Sequence, residues 1–284
     1  MGKCLTVQSK TVKALNQWKS DINNGLYRPY LTVRKVNKVG RRHWVRCLRQ
    51  KRDVHLLSDG ERRAYSILLN TPGTLCVMEQ FALDIDETME IALESNVIHP
   101  RNFKTGEAHV MSTDFVVKRL ASNQSSVVTT AYTFKYSDKI FEVDGFKKKA
   151  KSHRTWEKFG IEREYWNRRQ VEYRVITELD ATKERFWNVQ FCSPAAQLEF
   201  ADELINGFLT TFQKCWFTEP NLSLQILANR TALEMNQCYE LVMQLFKFTV
   251  INELLPLKHD KCIRLFRPVE LYKASMALFK RGST

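Results

Sequence analysis

The sequence predicts an α/β or α+β sheet domain of about 190 residues followed by a mainly helical module. Three observations carry this. Alternating apolar patterns of strand period recur between helical patterns up to residue 176. From Ser193-Pro194 onward the apolar spacing becomes mainly helical. The chain has 284 residues, 44% of them hydrophobic, enough to bury a core and exclude wholesale disorder.

The first 30 residues read as an arm, with Val12, Leu15 and Trp18 spaced for a short helix over 11–22. Residues 31–36 and 43–49 alternate as two strands of an antiparallel hairpin. Its outward basic residues are Arg34, Lys38, Arg41, Arg42, Arg46, Arg49, Lys51 and Arg52. They suit a phosphate backbone, and equally the wet side of a hairpin. Ser58-Asp-Gly-Glu61 opens a helix that Thr71-Pro72-Gly73 stops. A strand over 75–81, a helix over 86–94 and strands over 110–117 and 127–136 follow, the last two joined by a polar loop. After the basic run Phe146-Lys-Lys-Lys149 and Lys151, a helix spans 155–170 and a strand 171–176.

The expected division is an arm over 1–30, a sheet domain over 31–193 and a module over 194–284. In the last, helices over 196–216, 222–228 and 231–247 precede short strands over 248–254 and 263–266. Three helices and a hairpin outline a winged helix.

Net charge is +13, with +12 in residues 1–194 and +1 in the remainder. A basic sheet domain points to a polyanion, most often nucleic acid. The seven cysteines are scattered, without a C-x-x-C spacing. They read as reduced thiols of a cytoplasmic protein rather than zinc ligands. No run of about 18 apolar residues suggests a membrane span. No G-x-x-x-x-G-K-[ST] motif occurs, so ATP binding by that route is excluded.

The segments Met111-Ser-Thr-Asp114-Phe-Val-Val and Thr130-Ala-Tyr-Thr133-Phe134-Lys135 carry the chemistry. Folding the strands about Gln124 and Ser125 sets Val117 opposite Tyr132 and Asp114 opposite Lys135. A carboxylate on one strand and a lysine on its neighbour suit metal-assisted phosphodiester hydrolysis. Oxygen holds a hard divalent cation, and the ammonium balances developing charge. Glu61 is a second carboxylate candidate, and Ser58-x-x-Glu61 also reads as a capping box. His99-Pro100 reads as a turn, and His43 and His55 lack ligand spacing.

The order Glu61, Asp114, Thr133-Phe134-Lys135 resembles the restriction-endonuclease-like nuclease fold, a mixed sheet flanked by helices. More narrowly, the chain resembles the TnsA family of transposon end-cleaving endonucleases. The matching stretches are Tyr30-Leu-Thr-Val, Val54-His-Leu-Leu-Ser-Asp-x-Glu61, Glu79-Gln-Phe-Ala-Leu, His99-Pro100, Met111-Ser-Thr-Asp-Phe-Val and Arg154-Thr-x-Glu-Lys-x-x-x-Glu162-Arg-x-Tyr-Trp166. The resemblance implies Glu61, Asp114 and Lys135 as catalytic residues. It implies Mg2+, with Mn2+ as a substitute, held by Glu61, Asp114 and the Phe134 carbonyl. Thr133 departs from the broad nuclease pattern, which has an acid there, and from TnsA relatives that carry Gln, and it is a weaker ligand. Glu162 is either a supporting residue near Lys135 or half of a surface i,i+4 pair.

The resemblance further implies a bacterial endonuclease that acts at the nucleoid and cuts the 5′ strands at transposon ends. Its partners would be double-stranded DNA, a TnsB-like transposase and a TnsC-like AAA+ ATPase docked on the C-terminal module. The other reading is a DNA-binding adaptor without catalysis.

Overall fold

A computed structural model describes residues 5–36, 40–121, 126–144 and 147–272. The chain forms two compact units. The first comprises residues 1–69 and 73–181, and the second residues 70–72 and 182–284.

The first unit opens with α1 (Ser9–Asn23), which buries Leu15 and Trp18 against Ala82, Ile85 and Ala108. Residues 31–36 form turns rather than a strand. Arg42 accounts for this, since its guanidinium donates to the carbonyls of Val33 and Val36. β1 (His43–Cys47) instead pairs antiparallel with β2 (Arg52–Leu56). Then come α2 (Asp59–Asn70), β3 (Thr74–Ala82), α3 (Ile85–Glu94), β4 (Ser112–Leu120) and β5 (Val127–Phe134). A helical turn, α4 (Ser137–Ile140), leads to an unpredicted hairpin of β6 (Phe141–Asp144) and β7 (Lys147–Ala150). Phe146 of the basic run lies outside the described residues. α5 (His153–Asn167) and β8 (Glu172–Ile176) complete the unit.

The main sheet has the order β3-β4-β5-β8. Its first three strands are antiparallel, and β8 runs parallel to β5. On one face α3 and α5 bury Ile91, Ile161, Tyr165 and Trp166 against Val116 and Ala131. On the other, Tyr65 of α2 meets Phe115 with ring centroids 6.3 Å apart. α5 is tied to α3 by Arg168 to Glu90 and Glu94 and by Arg169 to Glu87.

The β4–β5 register differs by two residues from that expected. Val117 faces Thr130 and Phe115 faces Tyr132. β4 runs on to Leu120, so the hairpin is centred earlier than Gln124–Ser125, which themselves lie outside the described residues. A slip of two preserves the alternation of faces, whereas a slip of one reverses it.

The second unit begins with α6 (Lys183–Cys192), ahead of the boundary drawn at residue 193 in the sequence. Asn188 accounts for its placement. It receives the Ile263 amide at 2.7 Å and donates to the Lys261 carbonyl at 3.0 Å. α7 (Asp202–Thr218), α8 (Leu224–Met235) and α9 (Tyr239–Ile251) pack around Phe208, Phe212, Leu227, Leu245 and Phe246. The α8–α9 break falls at Asn236, whose left-handed φ of 53° ends the helix, and not near residue 229. Residues 248–251 belong to α9 instead of a strand, because Val250 and Ile251 bury into this core. Residues 263–266 are likewise not a strand; among the described residues only Leu257 and Leu271 bridge there. The expected wing is therefore absent from the described residues.

Candidate active site

Glu61 enters the site through local helix chemistry. Its amide donates to Ser58 Oγ at 3.0 Å, closing the first turn of α2. Its carboxylate turns back to accept from the Leu57 amide at 2.8 Å and from Ser58 Oγ at 3.2 Å. The cap predicted from Ser58-x-x-Glu61 thus exists. The same carboxylate also faces Asp114, so the cap does not exclude a chemical role. Gly60 makes this fit possible. A Cβ there would lie 2.1 Å from the Phe134 ring, and the Gly60 amide donates to Tyr136 Oη at 3.1 Å.

Asp114 sits where the β4–β5 ladder stops. Strand pairing ends at Phe115 and Tyr132, although both strands continue. Beyond that point the Phe134 amide donates to Asp114 Oδ2 at 2.8 Å. A side chain has taken a donor that would otherwise extend the sheet.

Gln80 joins the two acids. Its Nε2 donates to Glu61 Oε2 at 3.1 Å and reaches Asp114 Oδ1 at 3.4 Å. It is 1% exposed with φ of 52°, a left-handed conformation inside a strand. Such strain persists where surrounding structure over-determines it, often at functional sites. The Tyr30 amide donates to its carbonyl at 3.1 Å. The flip at Gln80 lets Glu79 and Phe81 serve different surroundings: Glu79 meets Arg52, and Phe81 meets Trp166. Sequence reasoning passed over Gln80. The available signal was two adjacent polar residues, Glu79-Gln80, within an apolar strand, which need partners on both sides.

Burial pushes Glu61 up to about 8, and the neighbouring Asp114 charge adds to the shift. Burial also lifts Asp114 to about 6, opposed by the Phe134 amide and the Lys135 charge. Two adjacent acids with displaced pKa values mark a candidate functional site. Lys135 follows β5, is exposed, and is anchored by its amide donating to the Ile176 carbonyl at 2.9 Å. It acts on Asp114 through charge, not as its register partner.

Thr133 is buried, and its Oγ1 donates to Glu162 Oε2 at 2.7 Å. Thr113 Oγ1 donates to the same oxygen at 3.0 Å and receives Trp166 Nε1 at 2.9 Å. Glu162 is therefore a buried tie between α5, β4 and β5, not a surface i,i+4 pair. Burial pushes it up to about 8, and Asp114 contributes. Lys158 on α5 is held below its ordinary range by partial desolvation and by the Arg154 and Lys135 charges. His99 bonds Thr88 Oγ1 at 3.1 Å, and burial lowers it to about 4, as a structural histidine.

Among the described residues, no group of three or more His, Cys, Asp or Glu is arranged to hold a metal. Glu61 and Asp114 nevertheless supply two convergent carboxylates, hard oxygen donors suited to Mg2+. Their raised pKa values mark a place where added positive charge is favourable.

A mixed sheet between helices, with paired acids gathered where its ladder ends, fits a restriction-endonuclease-like domain. Residues 72–178 match the family model described as TnsA-like endonuclease N terminal. That span includes Gln80, Asp114, Thr133, Lys135 and Glu162, while Glu61 precedes it. The chain is also 30% identical over 183 residues to the Transposon Tn7 transposition protein TnsA of Escherichia coli. The alignment covers 63% of this chain and 60% of that protein's length. Residues 72–178 are thus similar to the N-terminal endonuclease domain of TnsA-like proteins.

Proposed function

We propose that the chain is an Mg2+-dependent DNA endonuclease that cleaves the 5′ strands at transposon ends, with Glu61, Asp114 and Lys135 as its catalytic residues. The observation that carries this is the pairing of buried Glu61 with part-buried Asp114, bridged by Gln80. Glu61 and Asp114 would hold the metal, with the Phe134 carbonyl completing the set. Thr133, engaged by Glu162, lends it no carboxylate. When bound, the cation supplies Lewis-acid charge at the scissile phosphate. Lys135 keeps an ammonium beside Asp114, where it orients the attacking water and offsets charge developing on phosphorus. Gln80 fixes the spacing of the two acids. Glu162 positions β4 and β5 around them. The products would be a 3′-OH and a 5′-phosphate.

The partners in this reading are a TnsB-like transposase, which would handle the 3′ ends, and a TnsC-like AAA+ ATPase on the C-terminal module. The near-neutral charge of residues 195–284 suits a protein partner better than DNA. The Thr133–Glu162 bond favours the second reading, a DNA-binding adaptor, because it removes Thr133 from any ligand set. One assay separates them. Purified protein, transposase, Mg2+ and transposon-end DNA should yield 5′-strand nicks that vanish with Asp114→Asn. Equal nicking by that variant would leave the adaptor.

A further inference from the structure

The basic residues of the hairpin region sort into two groups. Arg42 is spent on the Val33 and Val36 carbonyls, and Arg49 on those of Leu69 and Thr74. Arg52 is committed to Glu79, with bonds of 2.8 and 2.5 Å, and to the Val77 carbonyl. These three hold the fold. Arg28, Arg34, Lys35, Arg46 and Lys51 are exposed. All but Arg34 line a cleft of about 620 Å³ between α1, residues 27–35 and the β1–β2 hairpin.

The cleft is built for an extended anion. Its lining holds five lysines and arginines, including the committed Arg52, against one carboxylate, Asp53. Arg46 pairs with Asp53 at 3.3 Å on exposed surface, and the exposed Arg28 pairs with part-buried Asp21. Such pairs contribute little and exchange readily for a phosphate oxygen. Arg34 lies over the Trp44 ring at 4.6 Å, and Trp44 stacks on His55 at 5.2 Å. That stack fixes the orientation of a guanidinium at the cleft rim. Burial holds His55 below its ordinary pKa, so it adds no charge near neutrality. Tyr30, in the cleft wall, is hydrogen-bonded to Gln80, the residue that bridges the two acids.

We infer that this cleft is a track for the sugar–phosphate backbone of duplex DNA, which it holds beside the Glu61–Asp114 pair without taking part in the reaction. The identity of the anion rests on the nuclease reading, while the geometry of the cleft stands apart from it. Backbone contacts position a duplex without reading its sequence, so binding here should be insensitive to sequence and steeply salt-dependent.

The test uses the full chain and a 30-base-pair duplex labelled for fluorescence anisotropy, in EDTA so that no cleavage occurs. Lys35→Gln, Arg46→Gln and Lys51→Gln are combined. A control combines Lys104→Gln, Lys118→Gln and Lys183→Gln, which removes the same charge from exposed positions outside the cleft. The cleft variant should bind at least about tenfold more weakly, with a salt slope shallower by about 0.9 per lost phosphate contact. The control should stay within about threefold of wild type, since it removes only diffuse charge. Unchanged binding by the cleft variant, or equal loss in the control, overturns the inference. So does a preference of the cleft for single-stranded RNA or an acidic peptide over the duplex. Nicking is measured separately. Wild-type nicking with an unaffected cleft variant sinks the track and leaves the nuclease. Weakened cleft binding without any wild-type nicking sinks the nuclease and leaves the track.

Discussion

Two consecutive residues of β3 serve two kinds of buried acid. Glu79 is met by the Arg52 guanidinium through two bonds, and Tyr27 Oη donates to the Glu79 carbonyl above it. Glu61 and Asp114 are joined through Gln80 by a neutral amide, with Lys135 acting only from a distance. The first acid is neutralised by the chain and holds β2 against β3. The second pair is held by a neutral amide instead, so burial keeps both of its pKa values raised and an added cation would favour their ionised forms. The contrast is between an electrostatic tie and an electrostatic reserve. It lies in the partner and not in the depth of burial, since burial raises all three carboxyls.

The strongest way to break the contrast is Asp114→Asn. Its amide oxygen still accepts from Phe134, so the fold should persist while nicking falls roughly 10²–10³-fold or more. Melting in metal-free buffer should be unchanged or higher, because a buried repulsion has gone. A variant that melts far lower, with nicking lost in proportion, would make Asp114 merely structural. Glu79→Gln should do the reverse. It strands the Arg52 charge and should cost about 3 kcal/mol or more in denaturant unfolding. Loss of nicking without loss of stability would place Glu79 in the site.

The pH dependence sharpens the same distinction. Glu61 and Asp114 have native pKa values raised above their unfolded ones, so the native state binds more protons. Their contribution to stability is full below about pH 4 and is lost as pH rises through about 6 and then about 8. Without metal, Glu61→Gln should flatten the fall of melting temperature between pH 5 and 8. Mg2+ should raise the wild-type melting point more at pH 8 than at pH 6, and Glu61→Gln should abolish that increment. A parallel pH slope in both proteins would remove Glu61 from the pair.

Smaller effects follow from the scaffold. Gly60→Ala drives a methyl into the Phe134 ring, and relaxation should cost about 1–3 kcal/mol while displacing Glu61. Unaltered melting and nicking would show that α2 yields freely. Gln80→Asn keeps a residue tolerant of the left-handed conformation but shortens the bridge. Stability should move by only about 1 kcal/mol, with a larger proportional drop in nicking. Equal nicking would show that the acids keep their spacing unaided.

The candidate acids and lysine are legible in the sequence because strand period and helix capping are local. Ser58 and Glu61 are one turn apart, and Asp114 stands out as an acid inside a strand, between Thr113 and Phe115. The β4–β5 register lies two residues from the one that the sequence suggests, because loop length, not composition, centres a hairpin. Residues 31–36 alternate like a strand, yet Arg42 reaches back and closes them into turns. The β-branched run at 249–251 reads as strand, but burial against Leu245 and Phe246 keeps it helical. Gln80 was hidden for a different reason. Its importance lies in a backbone conformation and in two acids, 19 and 34 residues distant, that only the folded sheet brings to it.

The two duties of Glu61 have a consequence for how competence arises. Its bonds to Leu57 and Ser58 span four residues or fewer and can form as soon as α2 winds. Asp114 arrives only when β4 docks, 53 positions later in the chain. In a nascent or partly unfolded chain Glu61 is an ordinary, ionised helix cap. Docking of the sheet converts that cap into a strained acid beside a second one. The cap of Glu61 is thus a local product of the helix, whereas the pairing of the two acids is a product of long-range assembly.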